Sequence, residues 1–226
     1  DGMEGRPKKA ICECTWAQPG DRIAVYDRKS FLQTAEFTVK SVLPNGIFET
    51  EDMSGTVKQG CVLANKAFFA AVHIDGCTLR STRARGALIQ TQNVLIENNY
   101  IYGMSYAGLL FSPDIKRWWE VAPAENVEIR NNIFEHCSHA SDTMPDGAVS
   151  FKASHDGESG EYPAGVHKNI SIHNNRFKDF CGCGIFVSAA DSVRIEDNVF
   201  ERDKTAQRQG FDMRLVNCRN TKIHNN

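Results

Sequence analysis

The stretch "NVLIENNYIYG", residues 93–103, returns as "NVEIRNNIFEH" at 126–136 and as "NISIHNNRFKD" at 169–179. Each copy has an Asn, an apolar–polar–apolar triplet, a polar residue, two asparagines, and a bulky apolar residue two places on. Anchoring on the first apolar residue of the triplet gives Val72, Val94, Val127, Ile170, Val193 and Thr221, at intervals of 22, 33, 43, 23 and 28 residues. A second motif, a Gly opening an apolar strand, follows each anchor, at Gly86, Gly108, Gly147, Gly184 and Gly210. A unit near 22 residues holding two or more short strands is the length of one turn of a parallel β-helix.

The asparagines fit that architecture. Identical positions of successive coils stack about 4.8 Å apart, and a polar side chain at an inward turn must find partners. Asn carries both donor and acceptor, so a column of them can bond to itself and to the turn backbone. Asn98/Asn99, Asn131/Asn132, Asn174/Asn175, Asp197/Asn198 and Asn225/Asn226 form the expected column, and Gly76/Cys77 departs from it. In one register we place Asn98, Asn131, Asn174 and Asn198. Leucine-rich repeats also use Asn ladders, but their leucine consensus is absent. The fold class is therefore all-β, a right-handed parallel β-helix of the pectin-lyase-like kind.

Residues 12–66 do not carry the repeat. "GDRIAVYD", "AEFTVKSVL", "GIFETED" and "GCVLAN" alternate apolar and polar residues between turn residues, which reads as a small antiparallel, barrel-like β module. The expected division is 12–66 for this module and 67–226 for the β-helix, truncated at its C-terminal end, because the sequence stops in mid-motif at "TKIHNN".

Net charge is −2, and the 26 Lys and Arg are scattered, which argues against nucleic acid as a partner. No run approaches the roughly 18 apolar residues of a membrane span. Eight cysteines include no CxxC pair; Cys12/Cys14 and Cys181/Cys183 are Cys-x-Cys, where bridging is awkward. They read as small buried hydrophobes. His136, His139 and Asp142 stand at three-residue steps, but no second shell is readable and no metal is expected. His73, His173 and His224 alternate outward. "GESG" has no strand–turn–helix context for a serine nucleophile, and no Gly-rich phosphate loop exists.

Extra residues relative to the 22-residue unit fall in loops 112–125 and 152–168, leaving one edge in adjacent coils, with a smaller insertion before Gly147. Long loops on one edge of a rigid solenoid are where function sits. They carry Asp114, Lys116, Arg117, Trp118, Trp119 and Glu120 in the first, and Lys152, His155, Asp156, Glu158, Glu161 and Tyr162 in the second. Asp142 and Asp146 lie between them. Arg83 and Arg85 stand opposite, one coil earlier. Aromatic faces with carboxylates and guanidiniums suit a sugar, whose CH faces stack on rings while its hydroxyls need donors and acceptors.

Residues 81–137 resemble the α-1,3-galactosidases of glycoside hydrolase family 110. The likeness rests on the R-A-R-G strand at 83–86, the I-E-N-N coil at 96–99, the D-x-x-x-W-x-E loop at 114–120 and the I-R-N-N-x-F-x-x-C coil at 129–137. The resemblance extends over roughly 18–200. It implies a secreted, periplasmic or surface bacterial exo-enzyme that removes terminal α-1,3-linked galactose with inversion and without cofactor. An inverting enzyme needs an acid and a base about 6.5–9.5 Å apart. Residues stacked in adjacent coils are only about 4.8 Å apart, so the pair must be offset. Asp114 as acid and Asp146 as base meet that condition, with Glu120 as a third candidate. Substrate contacts are expected from Arg83, Arg85, Trp118, Trp119, Lys152 and His155. Two departures stand out: Pro113 precedes Asp114 and Gln90 faces it, neither of which titrates, and Lys152 ends a strand where an acid would be expected. A non-catalytic carbohydrate-binding β-helix is the alternative, followed by a polysaccharide lyase or epimerase, for which Arg83, Arg85 and Lys152 could neutralise a uronate.

Overall fold

A computed structural model of the chain describes residues 9–11, 16–44, 47–115, 120–140, 147–153, 162–202 and 210–226. The chain divides into two compact units, Asp1–Ala70 with Ile115–Val121, and Ala71–Asp114 with Ala122–Asn226.

The first unit holds β1 (Lys9–Ile11), β2 (Arg22–Tyr26), β3 (Gln33–Leu43), β4 (Ile47–Gly55) and β5 (Val62–Asn65), in the antiparallel order β1-β4-β3-β2-β5. The alternation in "AEFTVK" puts Ala35, Phe37 and Val39 on one face, where they pack with Ile23, Val25 and Phe48.

Among the described residues the second unit is a parallel β-helix of five three-stranded coils and the first strand of a sixth. They are β6 (Val72–Asp75), β7 (Thr78–Thr82) and β8 (Ala87–Ile89); β9 (Val94–Glu97), β10 (Tyr100–Met104) and β11 (Leu109–Phe111); β12 (Glu125–Arg130), β13 (Ile133–Cys137) and β14 (Gly147–Phe151); β15 (His167–His173), β16 (Arg176–Lys178) and β17 (Cys183–Ser188); β18 (Ala190–Glu196), β19 (Val199–Glu201) and β20 (Phe211–Val216); and β21 (Arg219–His224). They stack into three parallel sheets. The anchors pair as read from the sequence: Val72 with Val94, Val94 with Val127, Val127 with Ile170, Ile170 with Val193 and Val193 with Thr221.

Superposition of like positions lets aromatic side chains stack along the axis. Phe134, Phe177 and Phe200 lie ring on ring at 5.0 Å spacings, and Phe111 lies 4.2 Å from Phe151. Such contacts add to the burial of these rings, and all but Phe200 are fully buried. Cys137 is buried in this core, which pushes its thiol up to about 12. That is the inert hydrophobe expected of it.

Two register details differ from the sequence reading. Leu109 pairs with Ala87 and Val149, and Val149 with Ile185, so Gly86, Gly108 and Gly184 share their column with Ala148, and Gly147 comes one residue early. Gly210 comes two residues early, Asp212 standing beside Gly184 in the last coil, but in the inner coils the backbones close in: a Cβ on Gly108 would sit 3.0 Å from the Ala148 carbonyl and 3.1 Å from the Phe134 ring.

The Asn pairs also resolve into two columns. The second member of each pair forms the inner ladder: Asn99, Asn132, Asn175 and Asn198 are buried, and Asn226, exposed, is its last rung. At each rung the backbone N–H and Nδ2 donate to Oδ1 of the next Asn, as from Asn99 to Asn132 at 3.0 and 2.9 Å. Nδ2 also donates to a strand carbonyl, from Asn132 to Ile96 at 2.9 Å. Cys77 replaces the first rung, and its N–H donates to Asn99 Oδ1 at 2.8 Å. The first members, Asn98, Asn131 and Asn174, are exposed and take φ of 57°, 56° and 55°, where Asn is among the few residues tolerated. Asn198 thus belongs to the column of Asn99, not with Asn98, Asn131 and Asn174.

Candidate functional site

The third sheet, β20-β17-β14-β11-β8, has strands of three to six residues. Its inward column Ile89, Phe111, Phe151 and Val187 fills the core. Its outward column is Leu88, Leu110, Ser150, Phe186 and Arg214. Leu110, Ser150 and Phe186 are buried although they face out, and the Arg214 guanidinium lies over the Phe186 ring at 5.9 Å. Ser150 Oγ accepts from Gly147 N–H at 2.7 Å.

Two rims flank this floor. Arg83 and Arg85, both exposed, stand in the turn before β8, which is pinned where Thr82 Oγ donates to the Arg85 carbonyl at 3.3 Å. At the opposite ends of the strands runs a column of Gln90, Ser112, Lys152 and Ser188. Gln90 Nε2 donates to the Ser112 carbonyl at 2.9 Å, Lys152 N–H to the Phe111 carbonyl at 2.8 Å, and Ser188 Oγ to the Phe151 carbonyl at 3.1 Å. Gln90 therefore faces Ser112, two residues short of Asp114, which corrects the facing inferred from sequence. None of the four carries a carboxylate.

Asp114 follows Ser112 by two residues, is half-buried, and is the last residue of its segment of the helical unit. Glu120 is exposed and belongs to the first unit. Trp118, Trp119, Asp146 and His155 lie outside the described residues, as do Lys116, Arg117, Asp142, Asp156, Glu158 and Glu161. Tyr162 is buried, and its carbonyl accepts from Asn217 Nδ2 at 3.1 Å.

His167 was not singled out from sequence. It opens β15, is fully buried, and its Nδ1 accepts the Ala124 N–H at 3.0 Å. Phe151 meets its ring edge-on at 5.9 Å. Nε2 has no hydrogen-bond partner among the described residues, and burial lowers the imidazole to about 4, the backbone of Lys152 opposing. The signal was in the repeat: His167 pairs with Ala190 and stands three residues before its anchor, like Ala124 before Val127. Both alanines are buried.

Three other histidines, His73, His136 and His173, bond to carboxylates. His73 and His173 face outward and bond to Glu97 and Glu128 at 3.0 and 3.1 Å. His136 stacks on His139 at 4.6 Å and bonds to Asp179 at 2.9 Å. His73, Asp75 and Glu97 bring donor atoms within 4.8 Å of one another, but Arg130 also holds Glu97 at 2.9 Å. That guanidinium, with His73, keeps the Glu97 carboxyl below the usual carboxylate range.

The parallel sheets and stacked ladder are those of the right-handed β-helix family, to which the chain belongs; the family model, "Right handed beta helix region", matches residues 60–226. Within that class the chain is similar to α-1,3-galactosidases. It is 29% identical over 218 residues to α-1,3-galactosidase A of Bacteroides thetaiotaomicron, covering 92% of this chain and 36% of that protein. It is 36% identical over 108 residues to α-1,3-galactosidase A of Shewanella woodyi, covering 47% of this chain and 17% of that protein. The likeness read from residues 81–137 is borne out. The chain thus spans about a third or less of the length of these relatives. Among solved structures, tailspike protein 2 of the Escherichia coli O157:H7 bacteriophage CAB120 superposes with a TM-score of 0.49 at 12% identity, over 66% of this chain and 17% of that one. Among the described residues no helix is long and apolar enough to cross a membrane.

Proposed function

We propose that this chain is the β-helical part of an inverting exo-α-galactosidase that acts on α-1,3-linked galactose or a related glycan, exported to the periplasm or cell surface of a bacterium. The observation that carries the reading is similarity to α-1,3-galactosidases along 92% of the chain. Asp114 is the general acid and Asp146 the base that activates water, with Glu120 orienting or substituting. Arg83, Arg85, Trp118, Trp119, Lys152 and His155 hold the sugar. No cofactor is needed, since protonation of the leaving oxygen and activation of water suffice.

The rung column Gln90, Ser112, Lys152 and Ser188 supports one part of this. With no carboxylate in it, acid and base must both come from the loops, whose spacing is free of the rung repeat of about 4.8 Å. The same column favours the second reading, a glycan-binding relic of a hydrolase site.

Turnover of an α-1,3-linked galactobiose decides between them. Asp114→Asn and Asp146→Asn should each lower kcat by about a hundredfold or more. Azide should rescue the second better than the first, because a small anion can replace the activated water. Full activity in both variants would remove the assignment. Absence of turnover in the unaltered protein, with binding of the disaccharide intact, would establish the relic.

A further inference from the structure

The candidate site uses the outer face of the third sheet, but another polar groove lies on the first sheet, β21-β18-β15-β12-β9-β6. Asn93 immediately precedes β9, Asn126 and Asn169 stand near the starts of β12 and β15, and all three are exposed, with φ of 58°, 55° and 52°. Their amides form a column of their own: Asn126 Nδ2 donates to Asn93 Oδ1 at 3.0 Å and Asn169 Nδ2 to Asn126 Oδ1 at 2.7 Å. Beside them Leu95, Glu128 and Ser171 pair in register on the outward side of the strands. Together they line an open depression of about 380 Å³.

The left-handed conformation favours Asn at this position, as at Asn220 with φ of 52°, but does not require it. Ser192 holds the same position in the next coil with a φ of 61°. Nor is this the buried ladder repeated. The inner column is saturated, whereas here, among the described residues, Asn93 Nδ2 and Asn169 Oδ1 at the two ends make no hydrogen bond. The groove therefore presents donors and acceptors together, which is what hydroxyl groups require. Its one carboxylate, Glu128, already has partners, bonding to Arg130 at 2.9 Å and His173 at 3.1 Å. A uronate would meet the Glu128 carboxylate, and a cation would compete with two existing partners. Leu95 adds apolar surface for a CH face. The amides repeat at the rung spacing of about 4.8 Å, close to the advance of one sugar along an extended glycan.

We infer that the Asn93–Asn126–Asn169 groove is a second binding site that takes a run of a neutral, linear glycan. The site deepens the carbohydrate reading but needs no turnover. A galactosidase acting on chain ends would gain attachment to the polymer that carries them.

The test is calorimetric titration of the 226-residue chain with neutral linear hexasaccharides of β-1,4-glucan, β-1,4-mannan, β-1,4-xylan and β-1,4-galactan. At least one should bind with Kd below about 1 mM, and more tightly than its disaccharide. Asn126→Gly and Asn169→Gly should weaken that binding about tenfold or more. Glycine accepts positive φ freely, so the thermal midpoint should hold. Asn131→Gly, at the same kind of backbone position off the groove, is the control and should bind as the unaltered chain does. If a glycine variant fails to fold, Asn126→Asp keeps the shape but removes the Nδ2 donor, and should weaken binding likewise. Asp114→Asn should leave hexasaccharide binding intact, so loss of turnover and loss of this site are separable. No binding by any of the four, or unchanged binding in both glycine variants, overturns the inference.

Discussion

Asn132→Ala lowers stability by an expected 3–5 kcal/mol or so, while Asn131→Gly, one residue away, changes it by no more than a few tenths. The difference follows from which column each residue joins. Asn132 is 1% exposed, and its Oδ1 is the acceptor for both the N–H and the Nδ2 of Asn99. Its own Nδ2 donates to the carbonyls of Ile96 and Arg130 and to Asn175 Oδ1. Truncation strands the buried Asn99 N–H, which costs about 1–3 kcal/mol, and takes a hydrogen bond of about 0.5–1.5 kcal/mol from each of the Ile96 and Arg130 carbonyls and Asn175 Oδ1. Asn131 is exposed with φ of 56°, a conformation glycine adopts without strain. Urea unfolding of the two variants measures this directly. Equal losses, or the greater loss at Asn131, would show that the ladder is assigned to the wrong member of the pair.

Acid should destabilise the protein through His167. The imidazole is neutral when folded, lowered to about 4 by burial, against an ordinary value of 6.5. Between those two pH values the unfolded chain binds a proton that the folded one refuses, so stability rises with pH across that window. Full stability is present above about pH 6.5, and about 3 kcal/mol is lost by pH 4, at 1.36 kcal/mol for each pKa unit. Carboxylates such as Asp191, held low by Arg219, also lose stability as pH falls, so the histidine must be isolated by difference. In His167→Gln, whose amide oxygen can still accept the Ala124 N–H, the dependence between pH 6.5 and 4 should shrink by that amount. Identical pH profiles for the two proteins would mean that His167 titrates normally. Ring nitrogen shifts in NMR should meanwhile report an Nε2–H imidazole at pH 5.5, the tautomer that the Ala124 bond to Nδ1 requires.

Much of the fold was legible because one coil resembles the next. The anchors at Val72, Val94, Val127, Ile170, Val193 and Thr221 could be aligned by eye, and the strand register follows them. What the repeat did not reveal was phase within a dipeptide. "NN" places one amide inside and one outside, and composition cannot tell which. A similar slip put Gly147 in the glycine column, where Ala148 stands. The candidate site was legible only as a location. Repeat counting finds where the extra residues leave the solenoid, but irregular loops have no period from which to read geometry. Asp114 and Lys152 could be placed because each lies within two residues of the rung column, and Gln90 could be corrected for the same reason. His167 falls at the end of the stretch 152–168, whose composition reads as a loop, though its column, with Ala124 and Ala190, marks it as interior.

The spacing of the buried ladder has a consequence for how such a chain accommodates new sequence. Successive rungs are separated by as few as 22 residues and as many as 43, from Cys77 to Asn99 and from Asn132 to Asn175, yet the hydrogen bonds that close them are alike, at 2.8 and 3.0 Å. The entropy of closing a flexible loop grows only with the logarithm of its length, so near-doubling the circuit costs roughly 0.6 kcal/mol. That is less than a single unpaired buried amide. Each rung therefore acts as a clamp that is almost indifferent to the length of chain it encircles. Elongation of the excursions from β11 and β14, and whatever recognition they acquire, is tolerated by the solenoid so long as the clamp residues stay in place.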